Sequence, residues 1–283
     1  MSIRPKLTVA LPVYNSASIV WLALQSLVNQ RGIDFEWELI VMEENKGDVY
    51  GEEELEKWTE SLRNNGCCRI IYCALDEWIP LSQKWVKMGE LAAPSSKAFL
   101  LQAADCYSYP YRLSHTMMAF RMAANGYDWF QTEMGLFYDV NLDKSIMYDQ
   151  RTTSHPTALN MAFKTKYIKQ LGESIGTDIE WPKKGIDYWL FTNFSLIKGG
   201  GLKIYRIKPG THLKWKGGVD TNGLNNISLA RVNKFIEVKP PFVHSEYLID
   251  DFIPAEVMTR LREAGKLNRE RRESMKNMSL VKH

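Results

Sequence analysis

Cysteine is scarce in this sequence, with four among 283 residues. Cys67, Cys68, Cys73 and Cys106 form no Cys-x-x-Cys pair, which argues against a zinc ribbon or a dithiol redox motif. The thiols are expected to be reduced and packed, as in a reducing compartment. Long hydrophobic runs are also missing. The greasy stretch Ala98–Ala104 is interrupted by Gln102, far short of the roughly 20 apolar residues that cross a bilayer. Met-Ser-Ile-Arg-Pro-Lys passes directly into a strand pattern, so no leader peptide is expected and the protein is expected to be soluble and cytoplasmic. There is no Gly-x-Gly-x-x-Gly and no Walker lysine motif, which argues against a dehydrogenase or a P-loop enzyme. Charge of one sign is not in excess either: the formal net charge is +3, too small to imply nucleic-acid binding.

What is present is a globular composition, 45% hydrophobic, 24% charged and 12% aromatic, which excludes disorder as the dominant state. The length suffices for a large core without disulfides or a structural metal. The charge is unevenly placed. From Thr259 to His283 eight Lys/Arg face three Glu, a local net of +5, so the chain's +3 leaves −2 for the rest. The basic tail turns helical from Pro254, with Val257, Leu261 and Ala264 at helical spacing before Gly265. Beyond Lys266 a core helix is not expected; a solvated extension, or weak salt-sensitive contact with an anionic surface, is.

The first hundred residues alternate strand and helix. Leu7–Val13, Glu38–Met42, Arg69–Ala74 and Ala98–Ala103 have the apolar, β-rich character of buried strands. Between them lie helical patterns after Ser16 or Ser18, over Gly51–Asn65 and over Pro80–Ala93. Such alternation predicts βαβ units on a mostly parallel sheet flanked by helices, the α/β class, whose ligands collect outside the carboxyl ends of the strands. The spacing then predicts a helix over Arg112–Asn125, one or two strands over Trp129–Asp139, a short helix over Lys166–Gly172, a helix over Asp187–Lys198 and a last strand over Leu202–Ile207. One main domain over residues 1–240 and a helical, basic extension over 241–283 are expected.

The strand ends carry the chemistry. Asp105, directly after the fourth strand, suits a hard cation such as Mg²⁺ or Mn²⁺ beside phosphates, or else a turn cap. Glu43 and Glu44 can accept from a base or a ribose, or form a solvated charge pair. Asp187 opens a helix beside Tyr188-Trp189-Leu190-Phe191, which should be largely buried. A desolvated carboxylate there is a candidate general base, and a plain N-cap is the alternative. His212 can ligate a metal or meet a phosphate, though a lone His is often structural. Lys214 and Lys216 can neutralise phosphate on a loop, or merely be solvated.

Together these segments resemble the family 2 glycosyltransferases, which have the Rossmann-like GT-A fold. Pro12-Val13-Tyr14-Asn15 resembles the family's opening motif, and Glu38–Glu44 resembles its second strand, where an Asp pair is usual. Ala103-Ala104-Asp105, with Pro110 five residues on, resembles the metal-binding Asp-x-Asp. Ile186-Asp187-Tyr188-Trp189-Leu190 resembles the segment that supplies the base. The likeness covers about residues 5–220. It implies an inverting transfer of a sugar from a nucleotide-diphosphate donor, by default a UDP-sugar, to a hydroxyl acceptor. The implied roles are nucleotide binding by Pro12, Val13, Tyr14, Asn15, Glu43, Glu44, Ala104 and Asp105, and base catalysis by Asp187. Because Ala103 stands where the first Asp would be, a divalent cation would rest on Asp105, the diphosphate and His212. Lys214, Lys216, His155 and Trp181 are candidates for phosphate or acceptor contact. For the acceptor the resemblance leaves four classes open: a saccharide, a lipid-linked sugar, a protein or a modified nucleic acid. A catalytically inactive binding protein of the same fold is the alternative. A nucleotidyltransferase is a second one, but it would want a Gly-rich basic loop where Val13-Tyr14-Asn15-Ser16 stands.

Overall fold

The computed structural model describes residues 4–121, 126–132, 134–149, 161–176, 179–207, 218–222, 242–244 and 253–280. Its main sheet begins with β1 (Leu7–Val13), α1 (Val20–Val28) and β2 (Trp37–Glu44). Two short helices, α2 (Glu52–Glu56) and α3 (Thr59–Asn64), lead to β3 (Cys67–Leu75), then α4 (Leu81–Leu91) and β4 (Ala98–Leu101). The chain continues through β5 (Cys106–Ser108), α5 (Arg112–Arg121), β6 (Trp129–Thr132), β7 (Met134–Asp139), β8 (Lys144–Asp149) and β9 (Ala162–Lys164). It ends with α6 (Thr165–Ser174), α7 (Ile186–Lys198), β10 (Ile204–Ile207), β11 (Gly218–Asn222), β12 (Phe242–His244) and α8 (Ala255–Leu280).

Seven strands form the main sheet in the order β10-β6-β9-β4-β1-β2-β3. The pairs β1·β2, β2·β3, β1·β4 and β6·β10 are parallel, while β9 runs antiparallel between β4 and β6. The expected α/β class with a mostly parallel sheet is therefore observed. Alternation explains why β1, β2 and β4 read as continuous apolar runs: both faces are buried. Leu7, Val9, Leu11, Trp37, Leu39, Ala98 and Leu100 pack on the side of α1 and α5. Ala10, Ile40, Met42, Phe99 and Leu101 pack on the side of α4, α6 and α7.

A second sheet, ordered β12-β8-β7-β11-β5, was not foreseen, because its strands are short and far apart in sequence. It shares a third core with α1 and α8, built from Ile19, Trp21, Leu22, Tyr107, Leu136, Tyr138, Val257 and Leu261. Residues 242–244 and α8 thus pack with the body of the protein.

Two expectations need correction. The helix expected over Gly51–Asn65 is broken at Trp58, whose indole donates to the Tyr50 hydroxyl at 2.7 Å between α2 and α3. β2 includes Glu43 and Glu44, so the acidic pair closes the strand and does not follow it. The basic extension is helical, as expected: α8 runs to Leu280, and Lys266, Leu267, Arg269 and Glu270 are exposed, so past Lys266 it is no core helix. Gly265 serves a close approach there: a Cβ would lie 2.0 Å from the Val140 carbonyl oxygen. One turn on, Arg269 donates to the Val140 and Asn141 carbonyls at 3.2 and 2.8 Å, so the helix is held past the glycine. Among the described residues no helix is long and apolar enough to cross a membrane.

Candidate active site

The strand order places the crevice. The chain lays β2 and β3 on one side of β1, then returns to lay β4 on the other, so the topological switch point lies between β1 and β4. Pairing of β4 with β1 ends at Ala10↔Leu101, sealed by Gln102 N–H on the Ala10 carbonyl at 2.9 Å. Beyond it Leu11–Val13 stay paired with β2, while the chain after β4 turns away into β5. Pro12–Asn15 and Gln102–Asp105 therefore face the same opening.

The β1 and β2 ends are joined by their own loops. Asn15, at φ +47°, accepts the Asp48 N–H at 3.0 Å, and Asp48 in turn accepts the Ser18 N–H at 3.2 Å. Gly47, at φ +79°, is required in this junction, since a Cβ would lie 2.8 Å from Asn15 Oδ1. Glu43, 1% exposed, accepts the Tyr50 and Gly51 N–H groups at 2.7 and 2.9 Å and the Tyr72 hydroxyl at 2.8 Å. Burial, and then this carboxylate partner, push the Tyr72 hydroxyl pKa up. The carboxylate of Glu43 thus fixes the 45–51 loop.

Glu44 is just as buried, and its partner was missed in the sequence. Lys84 of α4 brings Nζ within 2.5 Å of Glu44 Oε1 and 3.3 Å of the Val13 carbonyl oxygen, 5.5 Å from the Tyr14 ring centre. Burial lowers the lysine pKa, and Glu44 opposes that shift. A signal for it existed: Lys84 lies at i, i+4, i+8 with Met88 and Ala92, on a helix face that is buried. The Tyr14 ring itself remains 54% exposed.

On the opposite bank Asp105 is 7% exposed in the turn between β4 and β5, with Ala104 buried beside it and Ala103 exposed. The turn is held by Gln102, whose amide donates to the Ala103 and Cys106 carbonyls at 3.0 and 2.8 Å. The Gln102 carbonyl oxygen accepts from Ser108 Oγ at 2.5 Å and from Arg112 Nη1 at 2.9 Å. Arg112 also reaches the Leu101 carbonyl and Ser108 Oγ, and burial lowers its pKa to about 10. Gln102, Ser108 and Arg112 form a clamp around the turn that carries Asp105. No sequence spacing announced it, because its members come from a loop, a strand and a helix.

Asp187 lies in the first turn of α7. The N-cap is Gly185, at φ +60° with no side-chain cap, so the N-cap role does not fall to Asp187. The residue is half-buried. The expectation that Tyr188–Phe191 would be largely buried needs correction: only Leu190 is, Trp189 and Phe191 are half-buried and Tyr188 is 56% exposed. The start of α7 skirts the sheet here, so one residue per turn, Leu190 and then Phe194, reaches the core. Trp181 precedes this helix, half-buried and 6.1 Å from Trp189. Ser82 Oγ donates to the Pro182 carbonyl at 3.0 Å and ties that segment to the start of α4, two residues from Lys84. His155, His212, Lys214 and Lys216 lie outside the described residues.

Among the described residues, the carboxylate that the turn after β4 offers a cation is that of Asp105. Among the described residues no group of three or more His, Cys, Asp or Glu could hold a metal alone. That donor set fits a cation bound through one carboxylate and shared with substrate phosphates, the usual manner of Mg²⁺.

No family model and no curated protein matches the sequence. Solved structures do match its fold. TarS from S. aureus superposes with TM-score 0.53 at 15% identity, over 76% of this chain and 36% of that one. Residues 1–349 of TarS in complex with UDP give 0.51 at 15% identity, over 76% and 60%. The mannosyltransferase PcManGT from Pyrobaculum calidifontis, in complex with GDP-Man and Mn²⁺, gives 0.51 at 14% identity, over 84% and 67%. The chain thus spans between 36% and 60% of the length of those TarS chains. At such identities the likeness establishes the fold: the chain has the GT-A architecture.

Proposed function

We propose that this protein is an inverting glycosyltransferase that moves a sugar from a nucleotide diphosphate, by default UDP, to a hydroxyl acceptor. The observation that carries the reading is the β1/β4 switch point of a GT-A fold, with the Asp105 turn following β4 and the joined β1 and β2 loops beside it. The nucleoside lies along Pro12–Asn15, with the exposed Tyr14 ring as a stacking face. Glu43 shapes that wall, and the buried Glu44–Lys84 pair sets its charge. The diphosphate lies at Ala104 and Asp105. Asp105 would hold a divalent cation, Mn²⁺ or Mg²⁺, which when bound neutralises charge on the departing diphosphate.

Asp187 takes the proton of the acceptor hydroxyl as that oxygen attacks the anomeric carbon. The C–O bond to the diphosphate breaks on the opposite face, so the configuration inverts by the geometric logic of single displacement.

The test is a screen of UDP- and GDP-sugars for metal-dependent hydrolysis and thermal stabilisation. One donor should raise the melting temperature of the wild type, and Asp105→Asn should lose the metal-dependent part of that shift. Stabilisation by a donor without any turnover would favour the inactive binding protein, a reading to which Ala103 lends weight. No stabilisation by any nucleotide would end both.

A further inference from the structure

Next to Lys84, α4 and α6 flank an open cavity of about 310 Å³, whose lining includes Gln83, Lys87, Glu90, Gly172, Gly176 and Trp181. That is the small end of the ligand-pocket range, ~300–1,000 Å³. Its position follows from the topology. β9 is antiparallel to β4, so α6 runs back toward the carboxyl ends of the parallel strands. The residues that follow it, Ile175 and Gly176, therefore meet the beginning of α4, where Gln83 stands next to Lys84. The helices come close at Gly172, where a Cβ would sit 3.1 Å from Glu90 Oε1 and 3.2 Å from Val86 Cγ1.

We infer that this cavity binds a saccharide, the outer sugar of the acceptor. The inference deepens the proposed glycosyl transfer and rests on it for the word acceptor. Three observations converge. The walls combine one aromatic plate, Trp181, with the planar amide and carboxylate of Gln83 and Glu90 and the ammonium of Lys87. A pyranose ring asks for that mixture: its axial C–H face packs on an aromatic ring and its equatorial hydroxyls bond to planar polar groups. Secondly, the aromatic plate is shared with the catalytic bank, since Trp181 stands 6.1 Å from Trp189, two residues after Asp187. Thirdly, the Ser82–Pro182 bond fixes the segment that carries Trp181 to the same helix end that carries Gln83. A lipid or an apolar peptide would leave Gln83, Lys87 and Glu90 without matching groups, and a nucleic acid would meet Glu90 with like charge.

The test measures saturation transfer from the full chain to free glucose, galactose, mannose, N-acetylglucosamine and their disaccharides, with UDP and GDP binding recorded in parallel. At least one saccharide should bind the wild type. Trp181→Ala should weaken that binding about ten-fold or more, and Trp181→Phe should retain most of it. Gly176→Leu should block the cavity; a Cβ at Gly176 meets nothing within 4 Å, so the variant should fold. Nucleotide binding should be unchanged in all three. The proposal is overturned if no saccharide binds a protein that still binds nucleotide, or if binding survives both Trp181→Ala and Gly176→Leu. Saccharide binding that is lost in these variants, in a protein that binds no nucleotide, would uphold the cavity and remove the transferase reading.

Discussion

Along the carboxyl ends of β1 and β2 the buried charges are met by close neighbours: three donors on Glu43, and the Glu44–Lys84 pair locked against the Val13 carbonyl. At the start of α7 the side chains stand half in solvent, with Tyr188 56% exposed and Trp189 and Phe191 only partly covered. The first bank is organised by its own hydrogen bonds and ion pair, and dipoles fixed in this way need no reorganisation to meet a charge. The second bank is open and aromatic, a surface that can accept a partner of variable shape. The difference separates a region held by buried charge pairing from one held by partial aromatic packing.

The contrast breaks most visibly at Asp187. Asp187→Asn keeps the size and hydrogen bonding of the side chain but removes its basicity. Turnover with the donor found by screening should fall about 10²–10⁴-fold, while donor affinity by calorimetry should stay near wild type. Wild-type turnover would take the base role from Asp187 and leave the open bank without chemistry.

Next in size is the organised bank. Lys84→Met leaves Glu44 buried without its cation, which should cost about 3–5 kcal/mol in urea unfolding. The double variant Lys84→Met/Glu44→Gln should recover part of the loss. A single variant as stable as the wild type would show that the pair is not a buried ion pair in solution.

The open bank has its own anchor, remote from the crevice. Asp128 is 2% exposed and accepts from Lys164, Lys198, Tyr167 and the Lys203 N–H, joining β6, β9, α6, α7 and the start of β10. Burial by itself would raise the Asp128 pKa. The Lys198 ammonium and the Lys203 N–H, with Lys164 and Tyr167, outweigh it and hold the carboxyl well below the usual range. A depressed folded pKa means stabilisation that is complete above the unfolded pKa, about 3.9, and lost as pH falls below it. Asp128→Asn should cost about 2–3 kcal/mol at neutral pH, by the loss of charge-assisted bonds. It should also flatten the decline of stability below about pH 4. An unchanged acid limb in thermal melts followed against pH would remove Asp128 as the anchor.

The smallest effect is expected away from both banks. Arg269→Ala removes two bonds to the 140–141 turn at the second sheet and should cost about 1 kcal/mol. It should leave nucleotide and saccharide binding as they were. A change in either would connect α8 to the crevice and blur the division between the banks.

By itself the sequence determined the alternation of strands and helices, the parallel half of the sheet and the strand ends where Asn15, Glu43, Glu44 and Asp105 lie. Those features are legible because a strand buried on both faces is a continuous apolar run, and polar residues directly after such a run can only stand at its end. Asp187 was legible in its helix, but the burial of its neighbours was not, since four aromatic and aliphatic residues in a row cover a full helical turn and only one side of that turn meets the core. The tertiary structure alone decided the rest. It paired Glu44 with Lys84 across 40 positions, closed the Gln102–Arg112 clamp around Asp105, assembled the second sheet and set Trp181 over the α4–α6 cavity. These contacts join residues with no periodic relation in the chain, and their geometry is set by how helices pack on the sheet, which no local pattern of residues encodes.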